Sequence, residues 1–361
     1  MAAASALFVS HEWTLTGAPL FTLHLAALHA DVFGGPVAVV GLLDGQKGYE
    51  TVHARAGAPA AVRLAPAALD NVAGYRWVVL NTAVAHSVGG ALVGQMGKAW
   101  AARHLIWWIH ENHPFYTQAT ATNWAPAAAR CVFDSEASRR AWRHTAIPAA
   151  KTSVVHPALG GAFVRRAADP APKGQTCTFL CVGTVMQEKG QLGVVRAFAR
   201  LGEHAPQELR IVGFGPPCRR RPQYENRLYA CRDALPRSIR RRVTFVERCA
   251  DVHEHYAAAS VFVHNAGEPG ENFGLVLLEA MAHALPVVAS DAGGAREIVV
   301  PGETGALYAA GDLDALTAAL RRAGADEAWR VAAGRRGRAR YQVRFSEARM
   351  AAEWKDLLAA L

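Results

Sequence analysis

The chain lacks the marks of several protein classes. Its six cysteines, Cys131, Cys177, Cys181, Cys218, Cys231 and Cys249, form no CxxC pair and no ligand-like cluster. Cys177 and Cys181 fall on one apolar strand and read as buried thiols of a reducing compartment. No stretch makes a good membrane span. The least charged one, residues 78–97, holds Asn81, His86, Ser87 and Gln95 among several glycines and reads as a strand followed by a helix. The opening MAAASALFVS has no basic start and reads as a first buried strand rather than a signal peptide. Charged residues make up only 19% against 51% hydrophobic, a globular composition and not a disordered one. A soluble, cytoplasmic protein is expected.

What is present is size and positive charge. A length of 361 residues favours two domains, each large enough to bury its own core. The formal charge is +9, and part of it is concentrated: residues 218–242 carry nine arginines and residues 335–340 four more. Such stretches are either solvated arginine-rich helix surface or a means of attraction to an anionic membrane or acceptor. No nucleic-acid-binding motif or aromatic platform accompanies them.

Apolar runs of strand length recur with helical segments between them. ALFVS, PVAVVGLL, WVVLN, LIWWIH and RCVFDS lie in the first half, and TFLCVG, LRIVGF, VTFV, SVFVHN and PVVAS in the second. This alternation predicts an α/β protein with one doubly wound parallel sheet per half. The Pro/Gly/Ala-rich segment 156–176 reads as a hinge linker. Ligands in such sheets sit beyond the carboxyl ends of the strands, so two domains placed face to face would enclose a cleft.

The most informative stretch is GEPGENFGLVLLEAMAHALPVVASDAGGAREIV, which begins at Gly267. VFVHN before it is a strand, GEPGEN a loop, GLVLLEAMAHAL a helix, PVVAS a second strand and DAGG a turn. The loop leaves backbone amides at a helix N-terminus, a ready site for a phosphate. Glu271 just before the helix and Glu279 within it border that site. Carboxylates repel phosphate and suit neutral hydroxyls, so the local chemistry points to a sugar or nucleotide ligand.

These residues resemble the Glu-x7-Glu signature of the family 4 retaining glycosyltransferases, with Phe273-Gly274 after the first glutamate, Glu-Ala-Met-Ala at the second, then Pro-Val-Val-Ala and Gly-Gly-x-x-Glu. The resemblance implies the GT-B fold, two Rossmann-like domains facing across a cleft. It divides the chain into an acceptor domain over 1–160, a nucleotide-sugar donor domain over 161–338, and a C-terminal helix over 339–361 that packs back on the N-terminal domain.

TFLCVGTVMQEKGQ, residues 178–191, resembles the family's donor-phosphate loop, with Gly183 at the glycine and Lys189 at the lysine. Thr184 stands where the family has arginine, which removes one cation from the place where leaving-group charge develops. IVGFGPP resembles a second loop, normally Gly-Asp-Gly-Pro, with Phe214 in place of the aspartate. VSHEWTLTGAPL resembles the N-terminal loop that lies against donor and acceptor, with Gly17 as a point of close backbone approach. LIWWIHENHP delivers His110 and Glu111 at a strand end, and the resemblance gives the histidine a contact with the transferred sugar or the acceptor. His113, three residues on, lacks the further ligands that zinc needs. Asp312-x-Asp314 is the only Asp-x-Asp spacing and reads as a helix N-cap pair, so no metal is expected.

The implied reaction transfers a sugar, with retention, from a nucleotide-diphosphate sugar (UDP is the expected carrier) to a hydroxyl of a glycan, lipid-linked or small-molecule acceptor. No cofactor is required. Glu279 holds the ribose, Glu271 orients the donor sugar, and the amides of Asn272, Phe273, Gly274 and Leu275 take the diphosphate charge together with Lys189 and the loop at Gly183 and Thr184. A nucleotide-sugar epimerase, a glycan phosphorylase and a catalytically impaired relative acting as a binding or membrane-docking partner are the rivals. In the enzyme as in that last rival, the arginine-rich stretch 218–242 is the expected point of peripheral contact with an anionic membrane.

Overall fold

Both sheets of this computed structural model are parallel throughout, and each reverses its strand order at one point. The structure describes residues 5–13, 17–43, 49–50, 61–111, 123–167, 176–215, 222–249, 251–267 and 270–361. The chain divides into two compact units, Met1–Ala162 joined by Glu347–Leu361, and Phe163–Ser346.

The first unit contains β1 (Ala6–Glu12), β2 (Val37–Leu43), β3 (Ala61–Leu64), β4 (Trp77–Asn81), β5 (Leu105–Ile109), β6 (Arg130–Phe133) and β7 (Thr152–Val154), in the spatial order β3-β2-β1-β4-β5-β6-β7. Ala6 pairs with Val37 on one side and Trp77 on the other, so β1 is the strand from which the order runs both ways. Helices cover both faces, which is why LIWWI is apolar without alternation. Its successive side chains still point to opposite faces. Trp108 packs 5.5 Å from Trp354 and 4.9 Å from Phe21, whereas Trp107 packs 4.9 Å from Trp124 and 5.4 Å from Trp142.

Trp354 belongs to the helix Glu347–Ala359, which buries Met350, Trp354, Leu357 and Leu358 in the core beside the helix Gly17–Phe33. Its Nε1–H donates to His29 Nδ1 at 3.2 Å. The expected domain limit at 338/339 falls inside the continuous helix Glu327–Arg344, which belongs to the second unit. The segment that joins the first unit starts later, at Glu347, after the helix ends at Arg344. Likewise, the first limit lies at Ala162/Phe163, two residues past the expected 160.

The second unit contains β8 (Thr178–Val182), β9 (Glu208–Phe214), β10 (Val243–Glu247), β11 (Val261–His264), β12 (Val287–Ser290) and β13 (Gly305–Tyr308), in the order β10-β9-β8-β11-β12-β13. Phe179 of β8 pairs with both Leu209 and Val261. The order therefore reverses between β8 and β11, and the carboxyl ends of these two strands form the switch point where doubly wound sheets take their ligands. Strands β3, β7 and β13 have no counterpart among the expected runs. They are three or four residues long, and β7 is half-exposed throughout.

Candidate active site

At the switch point β8 is followed by Gly183, whose φ of +149° favours glycine. Residues Gln187–Lys189 make a single 3-10 turn, and Gly190, at φ +62°, turns the chain into the helix Gln191–Ala199. A Cβ on Gly190 would lie 2.0 Å from the Asn265 carbonyl oxygen, so only glycine fits this approach of the β8 loop to the end of β11. Asn265 secures it, donating from Nδ2 to the Gly190 carbonyl at 2.8 Å and accepting from the Tyr308 hydroxyl at 2.7 Å. A cavity of about 310 Å³ opens alongside, lined in part by Gln187, Gly190, Gly193 and Asn265.

This turn aims Lys189 at Glu271. Lys189 Nζ donates to Glu271 Oε1 at 2.5 Å, and His264 Nε2 lies 2.6 Å from Oε2. Burial opposes ionisation of Glu271, but the Lys189 ammonium and the His264 hydrogen bond outweigh it and hold the carboxyl well below its ordinary range. The carboxylate is thus a fixed anion. The backbone around it is held by close contact with the DAGG turn. A Cβ on Gly293 would lie 2.0 Å from the Glu271 carbonyl oxygen, one on Gly294 2.4 Å from that of Phe273, and one on Gly270 2.5 Å from Gly293 N. Gly294 N–H donates to the Glu271 carbonyl at 2.9 Å. The two glycines of the signature are needed because this turn packs directly on the Glu271 loop.

Gly274, at φ +101°, caps the helix Leu275–Ala282. Asn272 lies in the bend before it, and Phe273 is buried, 5.8 Å from Phe345. Glu279 lies on that helix and accepts from the Tyr256 hydroxyl at 2.7 Å. Burial raises the Tyr256 phenol well above its ordinary value, and the charges of Glu279 and Glu271 push it further. Both carboxylates therefore bear on one neutral, donating hydroxyl. The Glu279 carbonyl accepts from His283 Nδ1–H at 2.8 Å, which leaves His283 Nε2 to accept from His253 Nδ1–H at 3.0 Å.

On the other side of β8 the ends of β9 and β10 meet the Gly183 turn. A Cβ on Gly213 would lie 2.0 Å from the Gly183 carbonyl oxygen. Phe214, at the family's aspartate position, is buried and stacks 4.6 Å from Phe245, so it is a core residue. Gly215 N–H donates to the buried Glu225 carboxylate at 2.9 Å. Thr184 accepts on its hydroxyl a hydrogen bond from Arg248 Nη2 at 3.2 Å.

In the first unit Gly17 opens the helix Gly17–Phe33; residues 14–16 before it lie outside the described part. His110 follows β5 directly, and both its ring nitrogens face acceptors. Nε2 lies 2.7 Å from Asn81 Oδ1 and Nδ1 3.6 Å from Asp134 Oδ2. Asn81 donates from Nδ2 to Thr22 Oγ1 and to the Ala18 carbonyl, which fixes its oxygen toward the imidazole. Burial raises the Asp134 carboxyl, against the hydrogen bonds from His110 and Ser138. Glu111 is committed to the backbone: it accepts from Ala83 N–H at 2.7 Å and from the Thr82 hydroxyl, beside the strained Thr82 at φ +89°. His113 lies outside the described residues.

Tyr256, His264 and Arg248 were not among the expected site residues. His264 had a signal, since it ends a buried strand at the side where ligands bind. The other two had none.

Several arginines of the basic stretches work inside the fold. Arg242 donates to the carbonyls of Gly202, Ala205, Gln207 and Ser238, and Arg340 to those of Glu297 and Ile298 at a helix end. Asp312 is an N-cap, accepting from Asp314 N–H and Ala315 N–H. Among the described residues no group of three or more His, Cys, Asp or Glu could hold a metal, and no helix is long and apolar enough to cross a membrane. Burial pushes the thiols of Cys131 and Cys181 up to about 12.

Known proteins resemble both halves of the chain. The profile of the family described as "Glycosyl transferases group 1" matches residues 166–340, and that of "Glycosyl-transferase family 4" matches residues 3–159. The chain is 37% identical over 156 residues to the lipopolysaccharide core biosynthesis mannosyltransferase LpcC of Rhizobium leguminosarum, 43% of this chain and 42% of that protein. It is 34% identical over 155 residues to a GDP-mannose-dependent α-(1-6)-phosphatidylinositol monomannoside mannosyltransferase of Mycolicibacterium smegmatis, 41% of this chain and 38% of the relative. The matches thus span about two-fifths of these relatives' length. Among solved structures, Anabaena HepE in complex with UDP and glucose superposes with a TM-score of 0.83 at 21% identity, covering 99% of this chain and 100% of that one. Sucrose-phosphate synthase from Thermosynechococcus elongatus superposes at 0.76, also with 21% identity, covering 99% and 100%. The two profiles account for both halves of the sequence and the superpositions for both sheets: the chain belongs to the family 4 glycosyltransferases and has the GT-B fold.

Proposed function

We propose that the protein transfers mannose from GDP-mannose, with retention and without a metal, to a hydroxyl of a lipid-anchored glycan. The single observation that carries a nucleotide-sugar reading is the cluster at the switch point of the second sheet, where Lys189, Glu271 and His264 meet within hydrogen-bond distance. The choice of mannose and of a lipid-anchored acceptor is supported by the names of the relatives from Rhizobium and Mycolicibacterium, which are closer in sequence than the structural neighbours. A UDP-sugar, the carrier expected from the family resemblance, is the second donor to try.

In this reading the diphosphate takes Lys189 from Glu271 and lies against the amides of Asn272, Phe273, Gly274 and Leu275, where the positive end of the helix dipole adds to the ammonium. The freed Glu271 oxygen then accepts from a hydroxyl of the donor sugar while His264 keeps the other oxygen in place. Glu279, oriented by Tyr256, accepts from the ribose hydroxyls. The acceptor hydroxyl attacks on the face the leaving group departs from, and a phosphate oxygen takes its proton. No protein carboxylate is then needed as a base, and Glu271 is committed to the sugar hydroxyl instead. His110 belongs to the acceptor side in this reading; contact through Nε2 requires release of Asn81.

The test is transfer by the purified protein, offered GDP-mannose, UDP-glucose and other nucleotide sugars with lipid-linked and free mannosides, in the presence and absence of EDTA. GDP release with an α-mannoside product, insensitive to EDTA, is expected. Donor conversion without an acceptor would instead identify an epimerase, and binding without turnover an impaired relative.

A further inference from the structure

A nucleotide-sugar donor, the reading on which this inference rests, brings a diphosphate to a turn where Thr184 stands in place of an arginine. A departing nucleoside diphosphate carries at least two negative charges, and among the described residues Lys189 is the one ammonium at the turn. Thr184, the first residue after Gly183, is neutral. Arg248 makes up the difference in geometry. It follows β10, and its backbone N–H donates to the Phe214 carbonyl at the end of β9 at 2.8 Å. From there its side chain reaches past β9 to the end of β8, where Nη2 donates to Thr184 Oγ1 at 3.2 Å. Gly213 makes the reach possible, because it lets β9 close onto the Gly183 carbonyl. Three adjacent strand ends thus deliver a guanidinium to the phosphate turn.

Its partner differs from that of the ion-paired arginines of this unit, being a side-chain hydroxyl. Arg166, Arg200 and Arg296 each pair with an aspartate, Asp251, Asp314 and Asp291. Among the described residues Arg248 bonds a hydroxyl and no carboxylate, and it is exposed. A guanidinium parked on a neutral oxygen gives up little when an anion arrives, and it can then bind two phosphate oxygens at once.

We propose that Arg248, held at the turn by Thr184, is the second cation for the donor diphosphate and takes the place of the arginine that position 184 lacks. Thr184 acts as a positioning residue. An arginine at 184 and another at 248 would crowd one site with like charge, so the two positions exchange roles.

The experiment compares wild type, R248A, R248K and the double variant R248A/T184R. Calorimetry measures binding of GDP and of guanosine, or of UDP and uridine if a UDP-sugar is the donor, and steady-state kinetics measures transfer. For R248A a fall of roughly 10- to 100-fold in kcat/KM is expected, with weaker binding of the diphosphate and unchanged binding of the nucleoside. R248K should fall between, and T184R should restore R248A to within a few-fold of wild type. Unchanged diphosphate binding in R248A, equal loss of diphosphate and nucleoside, or no rescue by T184R would overturn the assignment. Melting temperatures check that each variant is folded. If wild type itself neither binds nor uses any nucleotide sugar, the functional reading fails; if wild type is active and R248A equals it, only the role of Arg248 fails.

Discussion

Lys189 Nζ lies 2.5 Å from Glu271 Oε1, although 82 residues separate the two in the chain. One comes from the turn after β8 and the other from the loop after β11, so the pair bridges the two strands at which the second sheet changes direction. The Lys189 ammonium is held on the Glu271 carboxylate. In the proposed reading an arriving diphosphate competes for that ammonium, and the Glu271 carboxylate it releases meets sugar hydroxyls.

Replacement of Lys189 by alanine is expected to lower kcat by about 100-fold, the usual loss on removing one preorganised donor to a leaving group. Nucleoside binding should be unaffected. Steady-state kinetics with calorimetry for the nucleoside separates the two; normal turnover would mean that another cation does this work.

The stability that Glu271 contributes should depend on pH. Its carboxyl is held below the unfolded value of about 4.3, so the contribution is complete above that value and is lost as pH falls toward the folded one. Glu271→Gln should cost about 1.5–3 kcal/mol at pH 7. Urea denaturation of both proteins at pH 7 and at pH 4 should show the gap between them narrowing at the lower pH; a constant gap would show that the ion pair contributes nothing.

Tyr256→Phe removes the hydroxyl that orients Glu279 and little else, since the ring remains buried. Donor affinity should weaken by about 1 kcal/mol, and by about 1.5–3 kcal/mol in Glu279→Ala. Calorimetric titration with the nucleoside diphosphate measures both. Equal affinity in all three proteins would remove Glu279 from the ribose.

Gly293→Ala forces both a left-handed alanine at φ +54° and a Cβ 2.0 Å from the Glu271 carbonyl oxygen. Gly302→Ala carries only the first penalty, because nothing lies within 4 Å of its Cβ at φ +81°. The conformational strain alone is about 1–2 kcal/mol. Thermal unfolding should therefore show Gly293→Ala as the less stable of the two, and only that variant should lose donor binding.

Much of the fold was legible because both faces of each sheet are buried. Runs such as LIWWI and VFVH are then apolar at every position and stand out from helical spacing. Strands such as β3 and β7 escaped because their residues, Arg63 and Thr152–Val154 among them, are partly exposed and carry no such run. The two glutamates and Lys189 were legible from local spacing around glycines that the backbone contacts make necessary. Tyr256 and Arg248 were not, because each reaches its partner across 23 and 64 residues from an ordinary stretch of sequence. Phe214 could be read as a departure from the family pattern, but its burial against Phe245 needed the fold.

The most direct measurement is transfer itself: the purified protein, GDP-mannose and a lipid-linked mannoside, followed by NMR of the new anomeric centre. Stoichiometric GDP and an α-linked product, both suppressed in Glu271→Gln and Lys189→Ala, are the predicted result. An inverted linkage, or full activity in those two variants, would contradict it.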